Sequence, residues 1–514
     1  CRFPTSRGSS SEPGMSGAQS VRLIDMMTQE IHHCGGPPPE AVSISGLSLD
    51  SRRVQPGHVF AALPGSTVDG RHFIPDAAAA GAVAVLAPRD TEWPAVPETV
   101  SRLVSDRPRR GLAHMAAVFY GPQPKRIAAV TGTNGQPSVP HALRQIWQSL
   151  GLEAASIGTL GLNAPGMARA GTLTTVDTIT LHKDLARLAR QGVDHCALEA
   201  SSHGLDQERL DGVQIQTAAF TNLGRDHLDY HGTQEAYLAA KARLFGEVMA
   251  PDGIAVINAD SLHAGALRAI CVERGIQVLS YGIADDADLR ILEEAPHPAG
   301  QELRVAFGGK TRQVSLPLIG GFQAQNVLCA ALLALSEPGV AAPAVFGVLP
   351  YLQGVPGRLQ RIGDGRQAGG VYVDYAHTPD ALAAVLRAVR AHCPGRLHVV
   401  FGCGGDRDKA KRPEMGRIAA ELADHVIVTD DNPRSEDPAA IRKAILSGAV
   451  QAEAVTEIGD RETAIRTAIG TLHEGDGLVI AGKGHETGQI VGATVHPFDD
   501  AAVAARILET AGAR

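Results

Sequence analysis

Residues 127–143, IAAVTGTNGQPSVPHAL, run from a short apolar strand through a turn of Thr, Gly and Asn into a helix. A loop of this kind can cradle a phosphate. Glycine lets the backbone close on an anion, and the first turn of the following helix offers N–H groups. Such loops carry Lys and then Thr or Ser at the next two positions, one for phosphate charge and one for magnesium. Here those positions are Gln136 and Pro137. Six further strings, three of them with Gly, gather charged, amide or hydroxylated residues directly after an apolar run: EASSH (199–203), TNLGRDHLDYH (221–231), DYAHTPD (374–380), GCGGDRDKAKRP (402–413), DDNPR (430–434) and GKGHE (482–486).

The elements that must position these groups are alternating strands and helices. Short β-like runs around an Ala-rich helix at 76–81 occupy residues 21–105, and a clear strand–helix alternation begins near 125. A Pro/Gly-rich linker at 356–371 precedes four more apolar runs. Continuous apolar runs separated by helices predict parallel strands covered on both faces. The expected fold class is α/β with three domains: a smaller N-terminal α/β domain (21–107), a central P-loop-type ATPase sheet (108–355) and a C-terminal Rossmann-like domain (356–514), after a disordered leader at 1–20. In open α/β sheets, ligands bind at the carboxyl ends of the strands. Loops there are polar anyway because they face water, but seven such clusters together point to a large, polar, anionic ligand.

Bulk properties bound the function. At 514 residues the chain exceeds a single core. Its formal charge of −8 argues against nucleic acid as a partner. Seven Cys without metal-ligand spacing suggest reduced thiols and a cytoplasmic setting. No apolar stretch approaches the ~20 residues of a membrane span.

EASSHGLDQERL, FTNLGRDHLDYHGTQEAYLAAKARLF, VDYAHTPDAL, FGCGGDRDKAKRPEMG and DNPR are long, gapless strings, and in them the chain resembles the Mur ligases. The resemblance runs from LDSRRVQPGHVFAALPG near residue 49 to AGKGHETGQI near 490. Within the family it is similar to members that add the third amino acid to UDP-N-acetylmuramoyl-L-alanyl-D-glutamate. It implies an ATP- and Mg²⁺-dependent ligase, expected to be monomeric: the substrate carboxylate attacks the γ-phosphorus, and the acyl phosphate then yields to an amine. The protein positions the reactants and neutralises charge.

The resemblance also implies residue roles. Glu199, His227 and a carbamylated Lys241 hold the metal. Carbamylation needs a neutral amine, hence a lysine pKa lowered by burial, whereas a helical lysine is ordinarily a solvated charge. Gly132, Thr133, Asn134, Gly135, Gln136 and Pro137 line the phosphates, with Asn326, Arg358, Asp374 and His377 on the nucleotide. Leu49, Ser51, Ser66, Thr67 and Val68 form the uridine pocket. Thr174, Thr175, Ser201, Gln207 and Arg209 meet the peptide and sugar. Arg407, Asp431, Asn432, Pro433, Arg434, Gly482 and Glu486 receive meso-2,6-diaminopimelate, whose distal carboxylate suits a bidentate guanidinium from Arg434.

Against that pattern, the loop's Lys is a neutral amide and its hydroxyl residue is a proline without an N–H. Gln323 stands where the family has Asn, and Val176 where it has Pro or a small residue. Loss of a charge-assisted contact costs about 1.5–3 kcal/mol in binding. Three readings stay open: a weakened ligase, a binder of the UDP-linked dipeptide that joins nothing, or a locally altered sequence. A folylpolyglutamate-synthetase-like ligase would share the central ATPase plan but leave DNPR and the N-terminal segment unexplained.

Overall fold

The computed structural model describes residues 20–65, 68–171, 173–224, 226–363, 369–449 and 454–512. Ser66 and Thr67 lie outside the described residues, as does the segment 1–19. Two compact units are formed. The first contains residues up to Pro124 together with Thr175–Gly192 and His203–Gln214; the second contains Lys125–Thr174, Val193–Ser202 and Ile215–Arg514.

The first unit is built on a five-stranded sheet in the order His32–Gly35, Ser101–Ser105, Ala84–Pro88, His58–Ala61, Gly46–Ser48. All neighbours are parallel except the antiparallel edge strand His32–Gly35. Helix Pro108–Tyr120 begins with Pro at its first position, where no intrahelical N–H is lost, and stops at Gly121 (φ 88°). Its Leu112, Met115 and Phe119 join Val59, Leu86 and Leu103 in the core. The expected Ala-rich helix spans Ile74–Ala79. Two short segments from later in the chain complete the unit. Helix Thr178–Arg190 is capped by Asp177, whose carboxylate accepts the Thr180 N–H. Residues 203–214 are tied to helix Pro108–Tyr120 by Glu208, which accepts from Arg107 Nε (2.6 Å) and the Arg110 N–H (2.8 Å).

The second unit carries two sheets. In the larger, Ala154–Gly158, His195–Glu199, Arg126–Thr131, Thr217–Phe220, Ile254–Asn258, Gln277–Gly282 and Leu289–His297 lie side by side and parallel. Antiparallel strands extend both edges. Helices Ser138–Ser149 and Gly321–Leu335 bury Leu143, Ile146, Trp147, Leu328 and Leu332 against Val130 and Val256. The smaller sheet runs Gly369–Asp374, Asp476–Ala481, Leu397–Phe401, His425–Val428, Val455–Glu457 in parallel, with Gln360–Ile362 antiparallel at one edge. Beneath it the Arg461 guanidinium and Asp500 carboxylate, both fully buried, form a two-pronged pair at 2.7 Å. A third guanidinium bond reaches the carbonyl of Ala481, the last residue of its strand (2.9 Å).

Parallel register brings the polar strings to common edges. Val130 is level with Glu199, and Thr131 with Phe220, so the 131–137 loop, EASSH and TNLGRDH leave the large sheet together. Asp374 is level with Ala481, and Phe401 with Val428, which gathers DYAH, GKGHE, GCGGD and DDNPR at one edge of the smaller sheet.

Candidate functional site

The loop after Arg126–Thr131 keeps a phosphate-cradling form despite its altered residues. Gly135 is in the left-handed region (φ 87°), and a Cβ there would lie 2.4 Å from Asn326 Oδ1. Glycine is therefore required on two counts, and Asn326 is placed beside the loop. Asn222 supports the other side: its carbonyl accepts the Thr133 N–H (2.8 Å) and its Oδ1 the Asn134 N–H (3.0 Å). The amides of Gly135 and Gln136 have no hydrogen-bond partner among the described residues. Pro137 precedes helix Ser138–Ser149 with helical backbone angles (φ −71°, ψ −33°), so the ring fits without distorting the chain. What changes is chemistry: the Gln136 amide folds back and donates to the Gly132 carbonyl.

Lys241 converges on the same atom. Helix Gln234–Arg243 turns Tyr237, Ala240 and Lys241 inward, and the Lys241 Nζ donates to Gly132 O at 2.5 Å with the side chain 0% exposed. Burial lowers its pKa to about 7, against a smaller opposing effect of Asp226. A good fraction of the amine is therefore neutral near neutral pH. Tyr237 organises the neighbourhood. Its ring lies 4.6 Å from Lys241 Nζ and 6.2 Å from the His227 ring, and its hydroxyl is 3.2 Å from Thr133 Oγ1. His227 itself is half exposed and left-handed (φ 52°), with its N–H on Asp226 Oδ1 (2.8 Å).

Glu199 ends its strand 4% exposed, and burial raises its pKa to about 7. Thr159 grips both carboxylate oxygens, donating its N–H to Oε1 (2.9 Å) and its hydroxyl to Oε2 (2.8 Å), and its Oγ1 lies 3.1 Å from Thr174 Oγ1. Among the described residues no three His, Cys, Asp or Glu side chains form a metal cage. A single carboxylate such as that of Glu199 nonetheless suits a Mg²⁺ that completes its shell with phosphate oxygens and water, which is how this cation is commonly held.

On the smaller sheet, Asp374 accepts the N–H groups of Leu359 and Ala376, both at 2.7 Å. It thereby fixes the turn that carries Arg358, whose guanidinium lies 4.9 Å from the Tyr375 ring. The Gln323 amide donates to the Arg358 carbonyl (3.3 Å), and Asn326 Nδ2 to Gln323 Oε1 (3.4 Å). The substituted Gln323 is thus wired between the two sheets of the unit. His377 is exposed, its Nδ1 2.9 Å from the Tyr375 carbonyl.

The DDNPR and GKGHE strings meet. Asn432 Nδ2 donates to Glu486 Oε2 (2.9 Å), and a Cβ on Gly482 would lie 2.5 Å from Asp431 Oδ2. Asp431 is buried, which raises its pKa against the pull of Arg461 and Lys483. Arg434 is left-handed (φ 51°), held by its N–H on Ile490 O (3.0 Å) and its carbonyl on the Gly492 N–H (2.7 Å). Its Nη1 donates to Gly405 O (2.8 Å), and the Pro433 carbonyl accepts the Glu436 N–H (3.0 Å). Arg407 is exposed and donates to the Asp406 carbonyl (3.2 Å), and a Cβ on Gly404 would lie 3.8 Å from both Arg407 Cγ and the Asn432 carbonyl oxygen.

In the first unit, Arg209 donates to the Thr175 carbonyl (2.5 Å) and to Gln207 Oε1 (2.6 Å), so these three come together as expected. Leu49 and Ser51 follow strand Gly46–Ser48, and Val68 lies in the turn after His58–Ala61, half exposed. Ser201 begins the turn after Glu199 in the second unit.

Three supporting residues escaped the sequence reading: Thr159, Tyr237 and Asn222. Tyr237 stands four residues before Lys241, on the same helical face, which is a readable signal. Thr159 carries none, because its role depends on neighbouring strands.

Three family models match the chain: the Mur ligase catalytic domain at residues 43–120, the Mur ligase middle domain at 130–334 and the Mur ligase glutamate ligase domain at 357–484. A UDP-N-acetylmuramoyl-L-alanyl-D-glutamate–2,6-diaminopimelate ligase of Bradyrhizobium diazoefficiens is 51% identical over 481 residues, 92% of this chain and 97% of that one. The enzyme of the same name from Caulobacter vibrioides is 52% identical over 473 residues, covering 91% and 96%. A solved structure of a ligase of this name is 35% identical, with a TM-score of 0.74 over 96% of this chain and 99% of that one.

Proposed function

The chain belongs to the Mur ligase family, and from that premise we propose that it joins meso-2,6-diaminopimelate to the D-glutamate of UDP-N-acetylmuramoyl-L-alanyl-D-glutamate at the expense of ATP, in the cytoplasm, as a step in making peptidoglycan precursors. The observation that carries the reading is the Asp431–Asn432–Arg434–Glu486 cluster on one sheet edge, supported by relatives of that name near 50% identity.

In this reading residues 21–107 hold the uridine nucleotide through Leu49, Ser51, Ser66, Thr67 and Val68, residues 108–355 bind ATP, and residues 356–514 bring the amino acid. The amides of Gly135 and Gln136 receive phosphate oxygens, and Asn326, Arg358 and His377 lie along the nucleotide. Thr174, Thr175, Ser201, Gln207 and Arg209 bind the peptide and sugar, which orients the reacting carboxylate. Mg²⁺, when bound, offsets charge on the transferring phosphoryl group, and Glu199, His227 and Lys241 are the residues that would hold it. Thr159 keeps the Glu199 carboxylate fixed. Lys241, deeply buried and with a lowered pKa, can take up CO₂ through its neutral amine: the nitrogen bonds to the carbon, one N–H proton is released, and the anionic carbamate left behind offers oxygen ligands. The distal carboxylate of diaminopimelate meets Arg434, its ammonium meets Asp431 and Glu486, and Asn432 holds Glu486.

A second reading, binding of the UDP-linked dipeptide without ligation, is favoured by one observation: the Gln136 amide occupies the Gly132 carbonyl and supplies no charge. Release of inorganic phosphate separates the two. Release that needs ATP, the UDP-linked dipeptide and diaminopimelate together is the expected result. Gln136→Lys with Pro137→Thr should then improve kcat/KM for ATP at least tenfold, the counterpart of about 1.5–3 kcal/mol. Dipeptide binding with no diaminopimelate-dependent release from either chain would favour the second reading.

A further inference from the structure

We infer that Lys483 is a positioning residue for the amino-acid pocket, its ammonium setting the orientation of both the Asn432 amide and the Glu486 carboxylate; this rests on the proposed reading of those two residues as contacts to diaminopimelate. Lys483 follows strand Asp476–Ala481 and Gly482, and its side chain is 0% exposed. The Nζ donates to Gly488 O (2.5 Å), Glu486 Oε2 (3.2 Å) and Asn432 Oδ1 (3.3 Å). An ammonium has three donors and no acceptor, so its whole capacity is spent on these three atoms. A buried charge satisfied in this way is tolerated; the same charge without partners would be very costly.

The consequence lies in the acceptors. Asn432 Oδ1 also accepts the Ile490 N–H (2.9 Å), so two donors converge on that oxygen. Turning the amide over would set its NH₂ against an ammonium and a backbone N–H and its oxygen against the Glu486 carboxylate, losing three bonds and creating repulsive contacts. The amide is therefore held with Nδ2 toward Glu486 Oε2. Glu486 Oε2 in turn receives two donors, from Lys483 and Asn432, while Oε1 takes no partner among the described residues. One carboxylate oxygen is anchored and the other left to accept from an arriving ammonium. Gly482 (φ 112°) and Gly484 (φ 55°) give the chain the tight turn that brings Lys483 under this pair.

The test is Lys483→Met, similar in length and uncharged, with KM measured separately for diaminopimelate, ATP and the UDP-linked dipeptide. Where the native chain turns over too slowly, the Gln136→Lys, Pro137→Thr chain is the parent. KM for diaminopimelate should rise tenfold or more, with the other two constants within twofold and the melting temperature retained. A merely structural lysine would move all three together or none. A diaminopimelate KM within twofold of the parent, or an equal rise in all three, overturns the inference. If Lys483→Met does not fold, Lys483→Gln is judged by the same criteria. If neither parent uses diaminopimelate, the functional reading fails by itself. The crystal structure of Lys483→Met then decides: a displaced Glu486 carboxylate or turned Asn432 amide supports positioning, and an unchanged pair rejects it.

Discussion

Arg434 occupies a left-handed backbone conformation that a non-glycine residue keeps only where its surroundings enforce it, and such residues concentrate at functional sites. Here two backbone hydrogen bonds to the segment 490–492 supply the enforcement and aim the guanidinium beside Gly405. A carboxylate held by this fork gains about 1.5–3 kcal/mol from charge-assisted bonds, and lysine has no distal carboxylate to receive them. Arg434→Ala should therefore cut kcat/KM for diaminopimelate roughly ten- to hundredfold while leaving any lysine incorporation unchanged, measured by competition between the two amino acids. Equal discrimination before and after the substitution would remove Arg434 from the pocket. Lys241 teaches the complementary lesson: a helical lysine that composition alone assigns to solvent is fully enclosed beside the loop.

Helix Thr178–Arg190 contributes an unusual group to the first unit. His182 is buried on it, with Nε2 3.2 Å from the Asp211 carbonyl, while Nδ1 has no hydrogen-bond partner among the described residues. Burial lowers its pKa to about 4, helped by nearby His114 and opposed by the bond to Asp211. The folded state thus keeps the imidazole neutral, whereas the unfolded chain takes up a proton near 6.5. Between those values the unfolded state binds more protons, so stability falls as pH falls through the window. By pH 5 the loss from this one group is roughly 2 kcal/mol. Urea unfolding at pH 7 and pH 5 should show that loss in the native chain and a smaller one in His182→Asn. Equal pH dependence in both would assign the acid sensitivity elsewhere.

At the scale of the molecule, the two compact units divide the expected ligands. Leu49, Ser51, Thr175, Gln207 and Arg209 belong to the first unit, and the 131–137 loop, Lys241 and the Asn432–Glu486 pair to the second. Hydrogen exchange should separate them. The UDP-linked dipeptide alone is expected to slow amides near 46–54 and 203–210, and ADP with Mg²⁺ alone those of 132–136. Protection by ADP confined to the first unit would contradict the assignment of the loop. The first unit also incorporates residues 175–192 and 203–214, which sit between strands of the second unit in sequence. No linker composition marks those crossings, because helix Thr178–Arg190 is patterned like any amphipathic helix and only its packing partner decides which unit it joins.

Much of the architecture was legible before any coordinates. Apolar runs ending in Gly, Asp, Asn or Arg fix both the strands and the edge at which polar loops emerge, since a parallel sheet sends every carboxyl end the same way. The glycines of the phosphate loop, the missing lysine and the DNPR string were equally plain. Tertiary structure alone decided which side chains lose their water: that Lys241 and Glu199 are enclosed, that Thr159 and Tyr237 hold them, and that Lys483 braces Asn432 and Glu486. The reason is physical. Strand and helix periodicity is set by neighbours along the chain, whereas desolvation and hydrogen-bond orientation depend on groups far apart in sequence, brought within 3 Å only when separate elements meet.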